Sequence, residues 1–312
     1  MSDNQNVGHL SCYIMKNLSL AKLHALYRQE HSRMHKDDRK HTAKAFAIIE
    51  EFMPKQSVKS FGKFQFLQFR NELIRRDYAR SYCNKLLGKV KAVFKWGATY
   101  DFCSSEVYQN LRLIDLVKYG EAREDIPRKD VEDSVIKQTL EHLPPTVRDM
   151  VIFQRVTGTR PSEVCRMKVS DIHQIKHNGQ SFWVCELKEH KTARFGKQRV
   201  IPLNDRAMEI IMPYITERTH ESFVFVTECK HACWTVDHWD RVIAETILEN
   251  DLPKWTLYQL RHTKGTELVI KEGVEVAAAV LGNSVVVMSK VYDHSNVDKL
   301  VRSLSVQNAS PK

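Results

Sequence analysis

Apolar residues in the first part of the chain recur at intervals of three and four, the spacing that gathers them on one face of a helix. Leu20, Leu23 and Tyr27 form the first set, with Ser19 placed to cap it. Ala45, Phe46, Ile49, Phe52 and Met53 form a second, which Pro54 ends. Phe66, Phe69, Leu73 and Ile74 form a third. A fourth, over 79–98, carries Tyr82, Leu86, Val90, Val93 and Phe94 on one face and Lys85, Lys89, Lys91 and Lys95 on the other. Four amphipathic helices in succession predict a small helical bundle. The periodicity lapses over 118–130, KYGEAREDIPRKD, which is charged and broken by Gly120 and Pro127.

Beyond the lapse, 131–143 and 146–156 read as helices around Pro144 and Pro145, and Pro161 suits the first turn of another over 161–168. SFWVCEL (181–187) and QRVIPL (198–203) are β-rich runs, joined by EHKTARFGK as a hairpin with an extended tip. Segments 205–216, 235–249, 256–272 and 274–281 read as helices, and FVFV (223–226) is left open. Near the end, a Gly-Asn turn leads into Val285, Val286, Val287, Met288 and Val291, followed by Tyr292. If 285–292 is helical, Met288 and Tyr292 share a face. The expected fold is mainly α with a small β-hairpin or sheet. Its expected parts are a flexible N-terminus (1–18), a helical domain (19–120), a linker (121–130) and a second domain (131–312).

Composition sharpens this outline. A chain of 312 residues can build two cores, and 42% hydrophobic with 28% charged residues is ordinary for a globular protein. The net charge of +10 is unevenly spread. Residues 1–124 hold 22 Lys+Arg against 13 Asp+Glu, a net of +9, while 125–312 hold 26 against 25. A folded basic part suits a polyanion such as nucleic acid; the plain alternative is a solubilising surface. The Lys85, Lys89, Lys91, Lys95 face divides in the same way, between tracking phosphates and meeting solvent. No basic stretch followed by an apolar one opens the chain, and no apolar run approaches a membrane span, so a cytoplasmic protein without membrane contact is expected. The 7 cysteines are odd in number and scattered, which argues for reduced thiols. Cys229 and Cys233 lack a second ligand pair at zinc-finger spacing, so no metal is expected.

The candidate chemistry lies in three stretches: TGTRPSEVCRMKVSDI (157–172), TLYQLRHTKGTELV (256–269) and LGNSVVVMSKVYDH (281–294). With Lys191 they supply Arg160, Lys191, Arg261 and Tyr292 in chain order. Attack on a phosphodiester without metal or ATP needs fixed cationic donors, a nucleophile and an acid for the leaving alkoxide. Arginine meets the first need, because its planar fork bonds phosphate twice and stays charged. Lysine meets the last, because its pKa falls beside other cations. A tyrosine hydroxyl ionises near a pKa of about 10 in water, so it becomes a nucleophile in an electropositive site. Each residue alone has a plainer reading: Arg160 as a partner of Glu163, Arg261 as a helix-surface charge, Lys191 as a turn lysine.

Together these residues resemble the tyrosine recombinases, or phage-type integrases. TGTRPSEVCRMKVSDI is similar to their first-arginine box, QLRHTKGTEL to their second, and LGNSVVVMSKVYDH to their nucleophile box. Residues 19–120 resemble the family's helical core-binding domain, and 131–312 its DNA breaking-rejoining domain. The resemblance implies Tyr292 as nucleophile, Arg160 and Arg261 as phosphate clamp, Lys191 as general acid and Glu163 as support for the first arginine. It also implies a 3′-phosphotyrosyl intermediate, double-stranded DNA as substrate, four protomers at synapsis, work at the nucleoid and no cofactor. Two positions depart from the pattern. Tyr258 stands where the second box usually begins with His, and Asn283 where His or sometimes Trp follows Leu-Gly. Both side chains hydrogen-bond, but neither shuttles protons near neutral pH as His does. His262 follows Arg261 on another face of the helix and is not an obvious replacement. The expectation is an active site-specific recombinase of a mobile element or phage. The alternatives are a catalytically weak or inactive DNA-binding relative and, less favoured, a relaxing topoisomerase.

Overall fold

The computed structural model describes residues 18–31, 36–127, 129–188, 196, 198–216, 218–227 and 232–292. The chain divides into two compact units, Met1–Pro127 and Arg128–Lys312.

The first unit is built from α1 (Leu20–Glu30), α2 (Lys36–Phe52), α3 (Lys63–Arg75), α4 (Arg80–Thr99) and α5 (Ser105–Arg112). Ser19 caps α1, its side chain accepting the Lys22 N–H at 3.2 Å. The apolar faces of α1 to α4 close on one core, with Phe61, Phe66, Phe69 and Phe94 fully buried and Phe61 stacked on Phe94 at 5.4 Å. Helix α5 was not foreseen. It buries only Leu111, too little to show as a periodicity, and is started by Ser104, whose side chain caps it. After it the chain stays fastened to the bundle. Asn84 exchanges two hydrogen bonds with the backbone of Val117, at 2.8 and 3.0 Å. Arg80 pairs with Glu124 at 2.7 Å, and Arg70 pairs with Glu121.

The four lysines of α4 do not form one free face. Lys85 and Lys95 are exposed. Lys89 pairs with Asp38 at 2.6 Å, and Lys91 turns inward to donate to the Ile114 carbonyl at 2.8 Å. The reason is geometric: neighbours from α2 and the segment after α5 close over part of the helix that the isolated pattern leaves open.

The second unit holds α6 (Asp133–Leu140), α7 (Pro145–Thr157), α8 (Pro161–Arg166), β1 (Ile172–His177), β2 (Gln180–Glu186), β3 (Val200–Leu203), α9 (Asp205–Thr216), α10 (Val236–Glu249), α11 (Leu257–Glu272), α12 (Val274–Leu281) and α13 (Val285–Tyr292). Its main core joins Phe153 of α7, Ile201 of β3, Phe225, Trp239 of α10 and Leu260 of α11. The fold is thus mainly helical, with one antiparallel sheet among the described residues, in the order β1-β2-β3. The expected hairpin is the β2–β3 pair, with Cys185 opposite Ile201. Strand β1 is an addition, pairing Ile172 with Cys185 and His177 with Gln180. Its sequence, IHQIKH, is mostly exposed and lacks apolar alternation. The readable signal was the Asn178-Gly179 pair, whose φ values of +50° and +78° make the tight two-residue turn. FVFV is extended: Phe223 bridges to Lys168 and Val226 to Cys233, with Val224 and Phe225 fully buried between them.

Among the described residues no helix is long and apolar enough to cross a membrane. Cys83, Cys103, Cys165, Cys185 and Cys233 are free thiols, and burial pushes Cys165 up to about 12. Cys229 lies outside the described residues.

Candidate active site

Arg160 is held by its neighbours in sequence. It precedes Pro161, and that proline confines it to extended backbone, with φ −65° and ψ 144°. Glu163, three residues on, accepts the Arg160 backbone N–H at 3.1 Å and its Nη1 at 2.7 Å. The peptide before Arg160 is fixed by Gln154, a fully buried side chain of α7. Its Nε2 donates to the carbonyl of Thr159 at 3.1 Å and to that of Leu257, at the start of α11, at 3.0 Å. One amide therefore joins the segments that carry the two arginines.

Arg261 projects from α11 into the interior and is only 5% exposed, so it is no surface charge. The next face of α11 is used differently. His262 Nδ1 lies 2.8 Å from Asp130, and the Thr263 hydroxyl accepts the Val131 N–H at 2.9 Å. These bonds tie down the start of the second unit and keep His262 engaged away from Arg261. Tyr258 stands in the first turn of α11, 44% exposed.

The arginines meet at the end of α12. The last carbonyls of a helix have no intrahelical partner and carry the negative end of its dipole. Here three successive carbonyls each accept from a different arginine. Val280 accepts from Arg199 Nη1 at 2.8 Å, Leu281 from Arg261 Nη2 at 2.7 Å, and Gly282 from Arg160 Nη2 at 3.0 Å. Arg261 also donates to the carbonyl of Gly158 at 2.8 Å. The Asn283 Oδ1 then accepts from Arg160 Nη2 at 3.0 Å and from Arg261 Nη2 at 3.1 Å. One oxygen thus lies between residues 101 positions apart in the chain.

Asn283 starts the turn into α13. Its Nδ2 donates to Met288 Sδ at 3.3 Å, and Met288 is fully buried. Tyr292 closes α13 one turn after Met288. The Tyr292 side chain and the whole of Lys191 lie outside the described residues.

Arg199 was missed by the sequence reading. It follows a turn already rich in Lys and Arg, so nothing in its local pattern marks it. It is 3% exposed, and its Nε lies 3.4 Å from Glu163. Glu163 therefore lies between two arginines. Burial pushes its carboxyl up, but Arg199 and Arg160 outweigh that and hold it below the usual carboxylate range. Among the described residues, three guanidiniums and one carboxylate leave a positive surplus beside the Asn283 turn. Such a site can bind and polarise an oxyanion.

The chain matches the phage integrase family over residues 129–299. Among curated proteins, it is 26% identical to the tyrosine recombinase XerD of Oceanobacillus iheyensis over 148 residues, 44% of this chain and 46% of that protein. It therefore spans about half the length of this curated relative. Among solved structures, it resembles the Tn1549 transposon integrase in complex with transposon right end DNA. The TM-score is 0.70 at 14% identity, covering 94% of this chain and 100% of that one. It also resembles a lambda integrase dimer bound to a COC′ core site, with a TM-score of 0.67 at 15% identity over 92% of this chain and 81% of that one. A lambda integrase tetramer bound to a Holliday junction matches with a TM-score of 0.64 at 15% identity, over 88% of this chain and 78% of that one.

Proposed function

The chain belongs to the phage integrase family, and from that premise we propose that it is a site-specific DNA recombinase acting through a tyrosine nucleophile. The observation that carries this reading is the single oxygen of Asn283 held by Arg160 and Arg261 together. A non-bridging phosphate oxygen carries negative charge and is a stronger acceptor for both forks than a neutral amide. It would take that seat, leaving the Asn283 amide to turn and donate.

In this mechanism the Tyr292 phenol releases its proton to solvent, and the Oη phenolate attacks the scissile phosphorus. The bond to the 5′ oxygen breaks, Lys191 supplies that oxygen with its proton, and the DNA 3′ end stays joined to Tyr292 as a phosphodiester. Attack by the 5′ hydroxyl of another strand reverses the step and releases the tyrosine. Bond energy is conserved in the phosphotyrosine, so no cofactor is consumed. Arg160 and Arg261 stabilise charge on the phosphoryl oxygens, Glu163 orients Arg160, and Asn283 and Tyr258 contribute hydrogen bonds. The substrate is double-stranded DNA bearing recombination sites, engaged by four protomers in a synapse, and the gene belongs to a mobile element or phage. The place of work is the cytoplasmic nucleoid. In the first unit, the exposed Lys85 and Lys95 meet DNA phosphates.

A second reading, a DNA-binding relative with little cleavage, is favoured by Tyr258 and Asn283 replacing expected histidines. Incubating the full chain with a pool of nicked duplexes of randomised core sequence separates the two. A covalent adduct that survives denaturation and is lost in Tyr292→Phe supports the recombinase. DNA retention with no adduct supports the binder, and an undiminished adduct in Tyr292→Phe rules out this nucleophile.

A further inference from the structure

We propose that Arg199 is a positioning residue for strand cleavage: from the residue just before β3 it holds Glu163 against Arg160 and anchors the end of α12 at the turn that carries Asn283. The inference rests on the recombinase reading and adds a part to it.

Arg199 is an expensive residue for its place. It is 3% exposed, and its Nη2 is buried with no hydrogen-bond partner among the described residues. A buried donor left unmatched is costly, and a buried ion pair is often replaceable by apolar side chains of similar volume without loss of stability. Packing alone is therefore a poor account of a charge here. Its contacts indicate what the charge does. Nε reaches Glu163 at 3.4 Å, while Nη1 donates to the carbonyls of Val280 at 2.8 Å and Val200 at 3.2 Å. The guanidinium also fits against Gly282, where a Cβ would meet its Cδ and Nη1, both at 3.0 Å. One side chain thus touches β3, the carboxylate that orients Arg160, and the turn that supplies the shared oxygen of Asn283.

The electrostatic consequence concerns Arg160. With Arg160 as its only cation, Glu163 would neutralise the arginine that must attract phosphate. With Arg199 sharing that carboxylate, Arg160 keeps more of its positive potential. Among the described residues, the charged and titratable groups facing Glu163 are Arg160 from the cap of α8, Arg199 from just before β3 and the Cys185 thiol from β2. Burial pushes that thiol far up, so it stays neutral. Removing Arg199 leaves burial less opposed, and the Glu163 carboxyl must rise. A carboxyl whose pKa is held low remains ionised until pH falls through that low value. Once its pKa rises, it protonates earlier on acidification and releases Arg160.

The test uses the full chain, the pool of nicked duplexes of randomised core, and single-turnover adduct formation as a function of pH. Arg199→Gln keeps a donor for Val280 but removes the charge. Its acid limb should move toward neutrality, with adduct formation about tenfold slower at about pH 6 and a smaller deficit at about pH 8. Arg199→Lys retains the charge and should keep the wild-type acid limb at a reduced plateau. Arg199→Gln combined with Glu163→Gln has no carboxyl to protonate and should lose the acid limb that Glu163 causes. DNA retention should change little in all three. An Arg199→Gln profile that coincides with wild type, or is lowered uniformly in proportion to a drop in melting temperature, overturns the inference alone. If Arg199→Gln does not fold, an Arg199→Lys acid limb displaced from wild type overturns it. Absence of any adduct from the wild type overturns the recombinase reading, and this inference with it.

Discussion

Replacing Gly158 by alanine measures how closely the two arginine segments are packed. Gly158 ends α7 with φ +67°, and its carbonyl accepts from Arg261 at 2.8 Å. A Cβ there would stand 2.5 Å from Cδ2 of Leu281 and 2.9 Å from Cγ of Lys264. Leu281 is fully buried, so its methyl has no solvent to swing into. Two costs add. A residue with a Cβ pays about 1–2 kcal/mol for left-handed backbone. Forcing a methyl into filled space costs a further ~1–3 kcal/mol. Gly179, in the β1–β2 turn, separates them: its φ is +78°, and nothing lies within 4 Å of where its Cβ would be. Gly158→Ala should therefore lose ~2–5 kcal/mol and Gly179→Ala only ~1–2 kcal/mol. Urea unfolding followed by tryptophan fluorescence reads the difference, because four of the 5 tryptophans (183, 234, 239 and 255) lie in the second unit. At roughly 2–4 °C per kcal/mol for a unit of this size, Gly158→Ala should melt ~4–20 °C below wild type. Adduct formation by the folded fraction should also fall, since any shift at Gly158 moves an anchor of Arg261. Equal losses at the two glycines would refute the packing argument. Full adduct formation by folded Gly158→Ala would separate that packing from function.

Arg160→Ala and Arg261→Ala should each slow cleavage by about 10²-fold or more, as expected for a lost donor to the transition state. Arg261→Ala should also melt lower than Arg160→Ala, because it strips the carbonyls of Gly158 and Leu281 of a donor at about 1–3 kcal/mol each; wild-type cleavage by either variant would make that arginine purely structural. Lys191→Ala should be slow on normal DNA and largely recovered when the bridging 5′ oxygen is replaced by sulfur, since a thiolate leaves without an acid; an equal defect on both substrates rules out the acid role. Wild-type cleavage should keep rising between about pH 7 and about pH 9, and Tyr258→His should raise the neutral rate and flatten that rise. A wild-type rate already flat above pH 7, with Tyr258→His slower, would mean that Tyr258 itself serves the proton path.

Local pattern alone determined much of this protein. The 3–4 spacing of apolar residues located α1 to α4, and Pro161 marked the start of α8, because a helix face and a helix N-terminus are written in adjacent residues. Residue type also singled out Arg160 and Arg261 as a pair suited to clamping a phosphate, and the fold brings both to the Asn283 Oδ1. What escaped had no local signature. Helix α5 buries a single residue, and β1 is a polar strand whose evidence lay in its Asn-Gly turn. Only the tertiary structure could recruit Gln154 and Arg199, whose work is to bond backbone carbonyls far along the chain. It also decided that Lys91 turns inward and that His262 is engaged by Asp130. The physical reason is common to all four. A polar group that leaves water must find a partner, and which partner is within reach depends on how distant segments pack, not on the residues beside it.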